Sequence, residues 1–207
     1  MNNKTYYHLL LDRSGSMASC WDITRKGFQE QINAIRSAAE MHPDQEVMFS
    51  ACLFNHHLEF PGGTRSIRSG AFPSIGHIQP GGNTALLDAI GESISRLEFI
   101  AANELAARQA SVVMVVLTDG YENASNRFTA PLIRQEMDRT RASGLGTFSF
   151  IGVDLDINAM AEQFNVGEGG RMNISKEAMP AAFASTRHHM SDYLSVKKAG
   201  SIRKEFF

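Results

Sequence analysis

Runs of consecutive apolar residues alternate along the chain with segments in which apolar residues recur every three or four positions. The runs at 6–11, 46–54 and 111–118 show almost no polar alternation, which is typical of parallel strands covered on both faces. We predict a fourth strand at 146–153 and a weaker fifth at 171–174.

Helical periodicity marks the segments between these strands. Apolar residues repeat at helical spacing around 28–39, 87–105 and 179–193, and a shorter helix is expected around 133–137. Because strand and helix alternate, the pattern favours one α/β domain with a mainly parallel sheet. Residues 56–80 interrupt the alternation with glycine and proline, and there we predict an edge strand or hairpin plus a loop.

Composition adds limits to this picture. The chain has 207 residues, 43% hydrophobic and 20% charged, which suits a globular protein with a full core. We predict a single domain over 1–195 and a basic, loosely packed tail over 196–207. A net charge of −2 gives no reason to expect nucleic acid or an anionic membrane as a partner.

The chain also lacks the marks of a secreted or membrane protein. Its two cysteines exclude a disulfide framework. No run approaches the roughly 20 apolar residues of a membrane span, and no signal-peptide pattern opens the chain. We therefore expect a soluble cytoplasmic protein.

Three polar stretches occur where strands end or a helix begins. Asp12, Ser14 and Ser16 follow the first predicted strand, and Asp119 follows the third. Thr84 comes after a Gly-Gly pair and opens the long predicted helix. Ligands of an open parallel sheet bind beyond the carboxyl ends of its strands, so the three stretches converge if those two strands are neighbours.

These side chains offer two carboxylates and three hydroxyls, all of them oxygen donors. Hard cations such as Mg²⁺ take oxygen ligands and keep several waters. One directly bound carboxylate and two hydroxyls would leave the ion under-neutralised, with room for an anionic ligand from outside. We expect Mg²⁺ here, with Mn²⁺ or Ca²⁺ as other candidates.

Each stretch taken alone has a simpler explanation. Serine and aspartate are common in turns, Thr84 could be only a helix cap, and Asp119 could be only a turn residue. Because all three stretches stand at element ends in this order, we favour the metal site.

The stretches DRSGSM, GGNTALLDA and LTDGYENAS together resemble the metal-ion-dependent adhesion site of von Willebrand factor type A domains. The resemblance covers nearly the whole chain and is strongest to small stand-alone bacterial proteins of this type. It implies a doubly wound, mainly parallel sheet with helices on both faces and one antiparallel edge strand. The metal ligands that it implies are Asp12, Ser14, Ser16, Thr84 and Asp119.

Five neighbouring residues should line the rim of such a site: Arg13, Asn83, Tyr121, Glu122 and Asn123. Arg13 either attracts an incoming carboxylate or is a solvated loop residue. Glu122 and Asn123 are expected to fix the third stretch by hydrogen bonds rather than to bind the metal.

The resemblance implies a non-enzymatic adaptor in which a partner's Asp or Glu completes the metal coordination. The partners that it suggests are AAA+ ATPases and kinase or phosphatase components. The alternative is a metal-dependent phosphohydrolase using Asp12, although Ser14 stands where an acidic general acid would be expected. The pairs His56-His57 and His188-His189 are predicted to be solvated rather than zinc ligands.

Overall fold

The computed structural model describes residues 2–70 and 72–207. Seven strands form one sheet in the order β3-β2-β1-β5-β6-β7, with β4 also pairing with β2. Their bounds are β1 Lys4–Asp12, β2 Glu46–Phe54, β3 Leu58–Glu59, β4 Arg65–Ser66, β5 Ala110–Thr118, β6 Gly146–Val153 and β7 Arg171–Ile174. The five longer strands are parallel, whereas β3 and β4 run antiparallel to β2.

Helices cover both faces of this sheet. Their bounds are α1 Trp21–Met41, α2 Leu86–Ile100, α3 Ala102–Ala106, α4 Ala130–Ala142, α5 Asn158–Gln163 and α6 Met179–Lys198. The predicted doubly wound, mainly parallel architecture with an antiparallel edge is confirmed. The long predicted helix at 87–105 is divided at Ala101 into α2 and α3. Within the described residues, no helix has the length and hydrophobicity to cross a bilayer.

Strand β5 shows why the apolar runs lack polar alternation. All nine of its residues are buried. Val113 and Val115 pack on the side of α1 and α6, whereas Val112 and Met114 pack on the side of α2 and α4. Because helices cover both faces of this strand, apolar side chains are favoured on either face.

The end of the chain differs from the loose tail expected from 196 onwards. Helix α6 continues to Lys198. The segment after it packs on the sheet, where the Phe206 amide donates to Ser149 Oγ at 3.3 Å and the Phe207 amide to the Gly169 carbonyl at 2.9 Å. The Phe206 ring is fully buried against Tyr7. The apolar end of the segment therefore decides its position, despite the basic residues before it.

Candidate metal centre

The predicted stretches meet where the strand order reverses. From β1 the sheet continues to β2 on one side and to β5 on the other. Asp12 is the last residue of β1, and Asp119 directly follows β5. Because these strands are parallel neighbours, loop 1 (12–16) and loop 3 (119–125) start side by side at their carboxyl ends.

Loop 2 (81–84) is tied to both of the other loops through backbone hydrogen bonds. The Gly15 amide donates to the Gly82 carbonyl at 2.9 Å, which joins loops 1 and 2. The Thr84 amide donates to Asn123 Oδ1 at 2.8 Å, and the Asn123 amide donates back to the Thr84 carbonyl at 3.0 Å. The three loops therefore form one connected site.

The five predicted oxygen donors lie together in this site. Ser14 Oγ and Ser16 Oγ are 3.1 Å apart, and Ser16 Oγ donates to Asp119 Oδ1 at 2.5 Å. A Cβ added to Gly120 would lie 3.3 Å from Thr84 Oγ1 and 3.5 Å from Ser16 Oγ, so these two hydroxyls face the same small space. Asp12 Oδ1 is joined to loop 1 by the Ser14 amide, which donates at 2.7 Å.

Burial makes the two carboxylates of this site costly to ionise. It raises the pKa of Asp12 to about 6, against opposing hydrogen bonds from Thr118 and Ser14. Burial also raises the pKa of Asp119, against an opposing hydrogen bond from Ser16. A nearby cation would favour their charged forms. Oxygen-only donors and unfavourable buried negative charge therefore suit a hard divalent cation.

Solved structures of other proteins resemble the fold of this chain. No protein-family model matches the sequence, and no curated protein matches it significantly. Among solved structures, von Willebrand factor type A from Catenulispora acidiphila has a TM-score of 0.59 at 13% identity, over 91% of this chain and 43% of that one. The chain has a von Willebrand factor type A-like fold.

Two further structures share the type A-like fold. Proximal thread matrix protein 1 from the mussel byssus has a TM-score of 0.56 at 16% identity, over 94% of this chain and 46% of that one. The PilB minor pilin from Streptococcus sanguinis has a TM-score of 0.61 at 13% identity, over 93% of this chain and 62% of that one. The chain thus spans less than half of the first two proteins compared and less than two thirds of the third.

Thr118 is a positioning residue that the sequence analysis missed. Its Oγ1 donates to Asp12 Oδ2 at 2.6 Å, and it accepts a hydrogen bond from the Gly120 amide at 3.1 Å. Both carboxylate oxygens of Asp12 are therefore held, one by the Ser14 amide of loop 1 and the other by Thr118 at the end of strand β5. A hydroxyl residue that ends an otherwise apolar strand just before Asp119 was the available indication.

Glu122 fixes loop 3 through hydrogen bonds, as predicted. Its carboxylate accepts from the amides of Ala124 and Ser125 at 2.8 and 2.7 Å, and from the Leu87 amide of helix α2 at 2.9 Å. Asp88 fixes the segment that follows loop 3 in the same way, and the sequence analysis did not predict this role. It accepts from three successive backbone amides, at 126–128.

The other predicted rim residues differ in exposure. Arg13 pairs with Glu59 of strand β3 at 2.7 Å and its side chain is only 11% exposed, so it is not a solvated loop arginine. Tyr121 and Asn83 are exposed beside the site. Within the part of the chain that the structure describes, no three His, Cys, Asp or Glu side chains form a metal-binding group. The oxygen set proposed here instead combines two carboxylates with three hydroxyls.

Proposed function

We propose that this chain is a divalent-metal-dependent protein-binding module, in which a partner's Asp or Glu completes the coordination of Mg²⁺. The observation that carries the proposal is the convergence of five oxygen-bearing side chains, from three connected loops, at the reversal of strand order. The residues that would hold the ion are Asp12, Ser14, Ser16, Thr84 and Asp119. When bound, the ion would supply an electrophilic contact for an anionic group.

The chain's own residues prepare one fixed arrangement of oxygens. Thr118 and the Ser14 amide hold the two oxygens of Asp12, so this carboxylate does not have to be ordered when a ligand arrives. Two reciprocal hydrogen bonds hold loop 2 against loop 3: the Thr84 amide donates to the Asn123 side-chain oxygen, and the Asn123 amide donates to the Thr84 carbonyl. Loss of such supporting contacts typically weakens metal binding by about 10–100-fold.

The site is open on one side only. Asp12, Ser14 and Thr84 are buried, whereas Ser16 is exposed and Asp119 is half-buried. An approaching partner would therefore reach Ser16 and Asp119 first, and the exposed Tyr121 follows Asp119 by two residues in loop 3. With Asp12 as the one directly bound carboxylate and Asp119 acting through water, an ion of charge +2 would still attract a carboxylate from outside.

The contacts of Asp12 favour binding over the phosphohydrolase alternative. A nucleophilic carboxylate must present one oxygen to an incoming phosphorus atom, whereas a metal ligand can bind through the remaining lone pair of an oxygen that also accepts a hydrogen bond. Both oxygens of Asp12 accept hydrogen bonds within the chain, and the residue is fully buried. We therefore assign Asp12 a ligand role and keep hydrolysis as an outcome of the experiment.

The test measures partner capture by the full chain in Mg²⁺, in EDTA, and in EDTA followed by excess Mg²⁺. We expect capture that EDTA removes and Mg²⁺ restores, and that Asp12→Asn abolishes. Asp22→Asn is the matched control, because Asp22 is an exposed carboxylate on helix α1. AAA+ ATPases and kinase or phosphatase components are the first candidates to probe. Capture that persists in EDTA would contradict the proposal, and phosphate-ester turnover abolished by Asp12→Asn would favour the enzyme.

A further inference from the structure

A cavity of about 610 Å³ lies at the opposite edge of the sheet from the candidate metal centre. Its wall contains residues that lie one or two positions before β1, β2, β5 and β6, together with the end of helix α6. The residues that matter to its chemistry are Asn2, Gln45, Arg108, Leu145, Lys197 and Ile202. This amino-edge cavity shares no lining residue with the three loops of the metal centre.

Two side-chain oxygens in its wall lack a hydrogen-bond donor. Gln45 is 3% exposed, and its Nε2 donates to the Leu194 carbonyl at 2.6 Å, which fixes the orientation of the amide. Gln45 Oε1 is then left buried without a partner in the described residues. Asn2 repeats the pattern: Nδ2 donates to the Ala110 carbonyl at 3.1 Å, and Oδ1 is buried with no partner among residues 2–70 and 72–207.

Unpaired buried acceptors are costly and uncommon, so these two oxygens would gain a hydrogen bond from a donor that water or a ligand supplies. Both oxygens are shielded from bulk solvent. A small movement of the wall is therefore needed before any donor reaches them, whether that donor belongs to water or to a ligand.

The cavity wall also carries an excess of positive charge. Its basic residues are Arg108, Lys197 and Lys198, against the single acidic residue Asp44, which pairs with Lys198 at 3.1 Å. Within residues 2–70 and 72–207, Arg108 and Lys197 form no ion pair with a carboxylate. Lys197 is nearly fully buried, and its Nζ donates to the Lys4 carbonyl at 2.5 Å and to Thr5 Oγ1 at 2.6 Å, which leaves one N–H for a ligand. Burial lowers the pKa of Lys197 to about 7, a cost that a bound anion would reduce.

We propose that the amino-edge cavity binds a small anion that also carries hydroxyl or amino groups, the chemistry shared by sugar phosphates and nucleoside monophosphates. Arg108 and Lys197 would bind the anionic group of the ligand. The hydroxyl or amino groups of the ligand would donate hydrogen bonds to Gln45 Oε1 and Asn2 Oδ1. Leu145 and Ile202 offer apolar surface to the remainder of the ligand. The site is independent of the function proposed above.

The experiment titrates the full chain with AMP, glucose 6-phosphate and inorganic phosphate by calorimetry, at constant ionic strength and in EDTA to exclude the metal centre. We expect AMP or glucose 6-phosphate to bind at least tenfold more tightly than inorganic phosphate, and the stronger of the two identifies the source. Equal affinity for all three anions would overturn the role of the donor groups. The absence of binding by all three would overturn the site.

Variants test the assignment of residues. Arg108→Gln changes an exposed side chain and should weaken binding at least tenfold without unfolding the chain. Gln45→Met should do the same. Gln31→Met is its matched control, because Gln31 is equally buried and its Oε1 also lacks a donor, but it lies outside the cavity. Binding that survives Arg108→Gln and Gln45→Met, or that Gln31→Met weakens equally, would contradict the proposal.

Discussion

His8 and Asp12 lie four residues apart on strand β1, on the same face of the sheet, and both are buried. His8 stands in the middle of the strand, where Nδ1 pairs with Ser50 Oγ at 2.7 Å and Nε2 with Ser93 Oγ at 2.9 Å. Both ring nitrogens are thus satisfied within the chain. We call this network closed, because His8, Ser50 and Ser93 are all buried and satisfy one another within the chain.

Asp12 occupies the end of the same strand, and its network is open. It is held by Thr118 and by the Ser14 amide, and from there the hydrogen bonds continue through Ser16 to the half-buried Asp119. The difference shows what position along a strand does to a buried polar group. In mid-strand the neighbouring strand β2 and helix α2 complete the network, whereas at the carboxyl end Ser16 and Asp119 remain accessible to a ligand.

The largest expected effect is the loss of metal binding in Asp12→Ala. Removal of a charged ligand should weaken Mg²⁺ binding by more than about 100-fold, given that loss of supporting contacts alone costs roughly 10–100-fold. Calorimetry with Mg²⁺ measures this directly. His8→Phe, if folded by circular dichroism, should leave the metal affinity within about threefold. A comparable loss of Mg²⁺ affinity in His8→Phe would show that the two networks are coupled. It would contradict the distinction between a closed network at His8 and an open one at Asp12.

Thr118→Val should give the next largest effect, because it removes the donor to Asp12 Oδ2 and keeps the side-chain shape. We expect Mg²⁺ affinity to fall by about 10–100-fold. Thr147→Val is the matched control: Thr147 is also a buried strand threonine, but its hydroxyl bonds to the Arg203 carbonyl. Unchanged affinity in Thr118→Val would mean that the Ser14 amide alone positions Asp12.

The closed network predicts a pH dependence of stability. Burial lowers the pKa of His8 to about 3, so below about pH 6.5 the unfolded chain takes up a proton that the folded chain does not. This contribution to stability is complete above pH 6.5 and is lost as the pH falls, by about 1.4 kcal/mol per pH unit. Urea unfolding between pH 6.5 and 4.5 measures the slope.

This measurement is made in the Asp12→Asn variant without metal. Burial raises the pKa of Asp12, so its titration has the opposite sign and would hide part of the His8 effect. His8→Phe in the same background should lower the slope by about one proton. A slope that His8→Phe does not change would show that His8 is already protonated in the folded chain.

Gly120→Ala should have the smallest effect. Its methyl group would lie 3.3 Å from Thr84 Oγ1, so the hydroxyl must move by a few tenths of an ångström. We expect a loss of Mg²⁺ affinity of about threefold to tenfold, with the free energy of unfolding changed by less than about 1 kcal/mol. Gly81→Ala is the control, since a Cβ there meets nothing within 4 Å. Equal effects of the two changes would place Thr84 outside the metal site.

The sheet was largely predictable because its strands are apolar runs with polar or glycine-rich ends. The predicted strands 46–54, 146–153 and 171–174 coincide with β2, β6 and β7. The break at Ala101 was not predictable, because alanine favours a continuous helix. Strands β3 and β4 have two residues each, too few to show a period.

The spacing of the five oxygen donors predicted their convergence, but not the residues that support them. Thr118 and Asp88 act through contacts with loops more than 30 positions away in sequence, and only the tertiary arrangement brings those loops near. Whether the five donors bind a metal stays a prediction.

Phe206 bears on the mobility of helix α6. Its ring contacts Tyr7 of strand β1, with centroids 5.6 Å apart, and Tyr193 of helix α6, with centroids 6.3 Å apart. A translation of α6 along α1 would separate the Phe206 ring from one of these two partners and expose it to water, at a cost of about 1.5–3 kcal/mol. The end of the chain therefore stabilises α6 in its present position. The binding energy of a partner that displaces this helix must exceed the cost of exposing the Phe206 ring.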